Sequence, residues 1–215
     1  MARYRRPKRC GATVFFTVCL AGRGQSLLVD EITRMRAAVR TVWMRHPFVI
    51  DAWVVLPDHM HAIWTLPDGD RAYGQRWGAI KAGFSRGLPK RDDRPSLRAR
   101  GESGLWQRRF WEHHIRDADD LAVHKLYCWL DPVRHGLVAR PDDWRYSSYH
   151  RDRVLAEATG ALDAGLPRFP TGEPAGVQRA MMQALPWRGG LPGPDPATAQ
   201  DTASDGFIKH AGLPR

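Results

Sequence analysis

Two histidines separated by one methionine, His59-Met60-His61, and a tyrosine followed four residues on by an aspartate, Tyr127 and Asp131, are the parts of this 215-residue sequence best equipped for chemistry. Side chains two apart on a β-strand share a face, so His59 and His61 point the same way and two imidazoles can share one ion. Residues i and i+4 of a helix sit one above the other, which stacks Asp131 beneath Tyr127. A divalent cation on His59, His61 and Asp131 would polarise a phosphate and stabilise charge developing in its transition state. A phenol, with a pKa near 10, is a poor nucleophile unless the group it attacks is activated in this way.

Each piece has a plainer explanation. About 0.4 His-x-His triplets arise by chance in a chain with nine histidines, so the pair alone is weak. Two half-exposed sheet histidines, a core tyrosine on an amphipathic helix and an aspartate capping a helix before Pro132 account for the same residues. Two histidines and a carboxylate are also the facial triad of non-haem iron oxygenases. Those sites sit in double-sheet barrels, for which this chain is too helical and too basic.

The elements that must position these residues are legible from apolar periodicity. Ala12–Ala21 is β-branched and aromatic between Gly11 and Gly22, the pattern of a buried strand. Leu28–Arg45 repeats apolar residues at helical spacing until Pro47 stops it. Phe48–Leu56 and His59–Leu66 read as strands joined by a Pro57-Asp58 turn. Within the latter, Met60, Ala62, Trp64 and Leu66 face the core and the histidines face away. A helix over Arg71–Leu88 follows, with Trp77, Ile80 and Phe84 on one side, although Gly74, Gly78 and Gly83 weaken it. Arg108–Ile115 reads as a fourth strand, and Asp117 caps a helix running through Tyr127 to about Leu130. Pro141–Tyr149 is a compact aromatic segment. Strand, helix, strand, strand, helix, strand is the α+β order of a ferredoxin-like (RRM-like) βαββαβ sandwich, here with an additional C-terminal helix carrying Tyr127. The expected domains are a basic arm over 1–10, a catalytic domain over 11–168, and a Pro/Gly/Ala-rich, largely disordered tail over 169–215.

A formal net charge of +10 calls for a polyanionic partner, nucleic acid or an acidic membrane surface. Arg3, Arg5, Arg6, Lys8 and Arg9 crowd the start without one acid, and the segment from Lys90 to Arg100 is again basic. Both are suited to phosphates. Trp77, Trp106 and Trp111 read first as core residues, with a role as stacking surfaces for unpaired bases as the alternative. Cys10, Cys19 and Cys128 have neither zinc nor disulfide-framework spacing, which reads as a reducing compartment. No apolar run approaches the ~20 residues of a membrane helix, and the basic start lacks the features of a secretion signal. The expectation is a soluble protein without a membrane partner.

Taken jointly, these segments have a family likeness. AWVVLPDHMHAIWTLP resembles the HUH signature of single-tyrosine transposases, two histidines flanking a bulky apolar residue at a strand. RWGAIKAGFS, LWQRRFWEHHIRDADDL, YCWLDPVRHGLV and DDWRYSSYH follow in the order seen in REP-associated tyrosine transposases. The resemblance runs from about Tyr4 to Arg153. It implies a single-strand DNA endonuclease and strand-transferase dependent on Mg²⁺ or Mn²⁺, acting on palindromic hairpins (repetitive extragenic palindromes) through a 5′-phosphotyrosine. Tyr127 falls on the catalytic tyrosine, and His59 and His61 on the metal-binding histidines. Asp131 falls on the third ligand position, where the family more often has Asn or Gln. Arg3, Arg5, Arg6, Lys8, Arg9, Lys81, Arg108 and Arg109 are the expected DNA contacts. The implied setting is the bacterial cytoplasm and nucleoid, with a monomer favoured over a dimer. Tyr146 and Tyr149 are rival nucleophiles on paper. The competing functions are a domesticated, non-catalytic DNA- or RNA-hairpin-binding protein and an RNA-binding ferredoxin-like module.

Overall fold

The computed structural model describes residues 11–22, 24–89 and 104–158. The arm over 1–10, the basic segment around 90–100 and the tail over 169–215 lie outside the described residues, and so do Arg3, Arg5, Arg6, Lys8 and Arg9.

Four strands, β1 (Thr13–Cys19), β2 (Val49–Val55), β3 (His59–Thr65) and β4 (Trp111–His114), form one sheet in the order β2-β3-β1-β4. Every neighbouring pair is antiparallel. This is the ferredoxin-like arrangement that the βαββαβ order predicts, with β3 inserted between the strands joined by the first crossover. That crossover is a short turn of helix, α1 (Leu27–Asp30), followed by α2 (Ile32–Arg45). A single helix over the region is the sequence expectation; the structure breaks it at Glu31, which leaves helical geometry at φ −102°, ψ 30°. The second crossover carries α3 (Tyr73–Ser85).

The two faces of the sheet bury different things. Val14, Phe16, Val18, Met60, Ala62 and Trp64 face α2 and α3 and form the larger core with Met35, Val42, Trp77, Ile80 and Phe84. At its centre Trp64 stacks on Trp77 with ring centroids 4.2 Å apart. Trp77 is therefore fully buried, the core role that the sequence favours over base stacking. Phe15, Ala52, Val54, Leu56 and Ile63 face the other way, into a second core closed by α4 (Ala118–Arg134). The parity of β2 is set by a bulge between Ile50 and Ala52. The inserted residue, Asp51, takes a hydrogen bond from Thr65 Oγ1 at 2.7 Å. Beyond it Ala52 and Val54 turn toward α4, whereas Ile50 and Trp53 pack with the larger core.

Helix α4 begins as the sequence predicts, with the Asp117 carboxylate accepting the Asp120 N–H at 2.8 Å. It ends later, at Arg134 rather than about Leu130, because Pro132 in the last turn forfeits only one backbone donor. The stop is a double-bonded glycine cap. Gly136 adopts φ +66°, Gly136 N–H donates to Val133 O at 3.0 Å, and Leu137 N–H donates to Pro132 O at 2.9 Å. A 3₁₀ turn (Pro141–Asp143) opens the aromatic segment, and α5 (Tyr149–Ala158) starts at its last residue.

Candidate functional site

Strand β3 carries the histidine pair on the face that α4 covers. His59 and His61 are 6% and 3% exposed, so the half-exposed sheet surface is excluded: a helix lies over them. Each imidazole is fixed through Nδ1. For His59 the partner is Asp58 Oδ1 at 2.7 Å, and for His61 it is Thr17 Oγ1 at 2.9 Å across the β1 pairing. Phe15 stacks on the His61 ring, centroids 5.4 Å apart. With both Nδ1 atoms occupied, the Nε2 atoms face one point. His59 Nε2 stands 3.4 Å and His61 Nε2 3.1 Å from Asp131 Oδ2.

Helix α4 supplies that carboxylate and the phenol. Asp131 is completely buried. Its Oδ1 accepts from Arg134 Nη1 at 3.0 Å, but its Oδ2 accepts no hydrogen bond. Burial disfavours the ionised form, yet the adjoining His61 and His59 outweigh it and hold Asp131 well below the usual carboxylate range. His61 moves down, because burial outweighs the attraction of Asp131. For His59 burial is again the largest influence and lowers the pKa, but Asp131 and Asp58 together overcome it and the net movement is upward.

Tyr127, one turn before Asp131, lies edge-on to His61 with centroids 5.1 Å apart and edge-on to Phe15 at 5.8 Å. Burial first, and the Asp131 charge second, push its phenol above the ordinary range. Arg134 opposes them from 4.6 Å above the ring. A buried carboxylate oxygen without a hydrogen bond, faced by two imidazole nitrogens whose other nitrogens are anchored, is a donor set that could hold a divalent ion. Tyr127 stands beside it in the same chain.

The remaining candidates fall elsewhere. Lys81 Nζ donates to Gln107 O at 3.0 Å and lies over the Trp106 and Phe110 rings. Arg108 and Arg109 are exposed just ahead of β4. Trp111 pairs with Thr17, which pairs in turn with His61, so one row of the sheet runs from the histidines to a half-buried tryptophan. Trp106 Nε1 donates to Ser85 Oγ on the side of the larger core. Tyr149 is buried against Trp129, and Tyr146 packs on Trp144; neither is placed against the histidine pair as Tyr127 is.

Sequence reasoning missed Asp58, Thr17, Arg134 and His135. The last two had a signal: they follow Asp131 at i+3 and i+4, the same helical rule that linked Tyr127 to Asp131.

A second cluster, His113, Asp120 and His124, occupies the other end of α4. There the carboxylate is saturated. Asp120 Oδ2 accepts from His113 Nε2 at 2.9 Å, Arg116 N–H at 3.0 Å and Arg116 Nε at 3.1 Å. This is a hydrogen-bonded anchor between β4 and the start of α4. Burial opposes ionisation of Asp120, but these donors prevail and hold its pKa at about 2, below the ordinary 3.8. A carboxylate depressed in the folded state contributes stability that is complete above its unfolded pKa and is lost as the pH falls through its folded one. Wild-type protein is expected to lose stability between pH ~4 and ~2 that Asp120→Asn has already lost at neutral pH. Because Arg116 is 70% exposed, the difference is discounted to about 1 kcal/mol. Urea unfolding of the two proteins at pH 7 and pH 2.5 measures it; an equal gap at both pH values would sink the assignment.

Fold and site together define a class: a ferredoxin-like protein in which two strand histidines face a tyrosine and a carboxylate on a covering helix. Comparisons with known proteins narrow it. The chain is 43% identical over 152 residues to the REP-associated tyrosine transposase of Escherichia coli, covering 71% of this chain and 85% of that protein. It is 45% identical over 159 residues to a putative REP-associated tyrosine transposase of Haemophilus influenzae, covering 73% and 90%. A solved structure of a REP-associated tyrosine transposase bound to a REP hairpin superposes with a TM-score of 0.64 at 40% identity, over 81% of this chain and 96% of that one. No protein-family model matches. The chain belongs to the REP-associated tyrosine transposases. Among the described residues no helix is long and apolar enough to cross a membrane.

Proposed function

We propose that this protein is a divalent-metal-dependent nickase and strand-transferase of REP-type hairpin DNA, with Tyr127 as nucleophile and His59, His61 and Asp131 as metal ligands. The observation that carries the reading is the buried, hydrogen-bond-free Oδ2 of Asp131 facing two anchored imidazoles, with Tyr127 packed edge-on to one of them. A bound Mg²⁺ or Mn²⁺ supplies Lewis-acid polarisation of the scissile phosphate. The protein's own residues do the rest. Asp58 and Thr17 hold the imidazoles with Nε2 forward, and Arg134 holds Asp131 by Oδ1 so that Oδ2 stays open. Tyr127 Oη attacks phosphorus, the bond from phosphorus to the 3′ oxygen breaks, and the products are a 5′-phosphotyrosine and a 3′-hydroxyl. The phenol releases one proton and the 3′ oxygen gains one, so the step is proton-neutral. Its reversal onto another 3′-hydroxyl is strand transfer.

The solved relative's hairpin supports a hairpin substrate for this chain, and the net charge of +10 suits it. Arg3, Arg5, Arg6, Lys8, Arg9, Lys81, Arg108 and Arg109 are the proposed DNA contacts. The proposed setting is the bacterial cytoplasm and nucleoid. The reading places a complete site in one chain, which supports a functional monomer. The test is incubation of the full chain with a single-stranded oligonucleotide bearing a REP-type hairpin and Mn²⁺ or Mg²⁺. A denaturant-resistant protein–DNA adduct and a shortened strand are expected. Tight hairpin binding with neither product would overturn catalysis in favour of a non-catalytic hairpin-binding protein.

A further inference from the structure

Helix α4 carries its functional side chains at 127, 131 and 135, each one turn after the last, and the third of these is unused by the reading above. His135 is the C-cap residue of α4, its N–H donating to Asp131 O at 3.0 Å. The glycine cap that follows, Gly136 at φ +66° with its two hydrogen bonds, fixes where the backbone of His135 turns. That turn delivers the side chain to the metal site rather than away from it. His135 Nε2 stands 3.7 Å from Asp131 Oδ2, and its ring lies 5.0 Å from the His59 ring at 65°. One ligand atom each from His59, Asp131 and His135 lies within 4.8 Å of the other two.

Asp131 Oδ2 is thus a buried acceptor without a hydrogen bond, surrounded by three imidazole nitrogens at 3.1, 3.4 and 3.7 Å. Ligands about 2.1 Å from an ion are separated by about 3.4 Å when tetrahedral and by about 3.0 Å between octahedral neighbours. The three separations, all measured from Asp131 Oδ2, lie close to these values. The donor set agrees with the spacing. Imidazoles suit later first-row ions, whereas Mg²⁺ takes oxygen ligands and keeps several waters.

We infer that His135 is a fourth protein ligand of the metal site, and that the resulting three-histidine, one-carboxylate centre selects a first-row transition ion over Mg²⁺. The inference rests on the metal site proposed above and adds to it a ligand and an ion class. Because the His135 side chain is 47% exposed, it can be replaced without opening the core.

Titrating the full-length chain with Co²⁺ and with Mg²⁺, by calorimetry and by the visible absorption of bound Co²⁺, tests this without DNA or turnover. Wild-type protein should bind Co²⁺ at least about tenfold tighter than Mg²⁺. His135→Ala should weaken Co²⁺ by about tenfold or more and dim its visible band, with Mg²⁺ affinity changed less than about twofold. His135→Asn, which keeps a polar cap, should behave like His135→Ala. An unchanged Co²⁺ affinity and spectrum in both variants would overturn the fourth ligand while leaving the metal site in place. Failure of the wild-type chain to bind either ion would overturn the metal site itself.

Discussion

Tyr127→Phe protein is expected to form no covalent adduct with hairpin DNA and to nick it at least about 10³-fold more slowly than wild type. The substitution removes one oxygen and keeps the ring that packs edge-on to His61 and Phe15 and beneath the Arg134 guanidinium. Divalent-ion affinity and hairpin affinity should therefore stay within about twofold, and unfolding free energy within about 1 kcal/mol. The contrast between intact binding and absent chemistry is the signature of a nucleophile. Denaturing gels of the reaction, calorimetry of the ion and urea melts give the three readouts. The effect is large because Tyr127 is packed against the histidine pair, whereas Tyr149 and Tyr146 pack on Trp129 and Trp144. A persistent adduct in the variant would move the chemistry to another residue, and Tyr146 and Tyr149 are the named rivals.

How much of this was legible in the sequence follows from what each residue obeys. His59 and His61 share a face by strand parity, and Tyr127 and Asp131 share one by helix periodicity, so both pairs follow from local geometry. The alternation of Met60, Ala62 and Trp64 told which face of β3 meets α2 and α3, and the structure keeps it. Local rules do not say what covers the other face. That the histidines are buried, and that α4 crosses at the height where Asp131 Oδ2 meets both Nε2 atoms, is a matter of three-dimensional packing. The bulge at Asp51 belongs to the same class: it depends on a Thr65 hydroxyl across the hairpin. Thr17 reached the site only through the β1–β3 register, which pairs it with His61. His135 was different. Its spacing from Asp131 was readable, and a reading that stopped the helix at about Leu130 put it beyond reach. Pro132 prompted that stop, but a proline costs a helix one bond in its last turn and does not end it there.

Asp131→Asn should weaken divalent-ion binding by about 10- to 100-fold, and Asp131→Ala should weaken it further, although Asn is nearly isosteric. Partners that only orient a ligand are worth that range when removed, and Asp131 supplies the single negative charge in a set otherwise made of neutral imidazoles. Its charge is available because His61 and His59 keep it ionised against complete burial, and because Arg134 occupies only Oδ1. Asn presents an oxygen of the same reach without the charge, so the site should still fill at high Mn²⁺. At saturating Mn²⁺ the site is filled in both proteins, and Tyr127 and the two strand imidazoles are unchanged. Nicking at saturation should accordingly fall less than about tenfold, far less than the affinity does at low Mn²⁺. A Mn²⁺ titration of nicking by wild type, Asp131→Asn and Asp131→Ala separates the two quantities. Overlapping curves for wild type and Asp131→Asn would remove Asp131 from the ligand set. A collapse of the saturated rate with unchanged ion affinity would instead give the carboxylate a role toward Tyr127 alone.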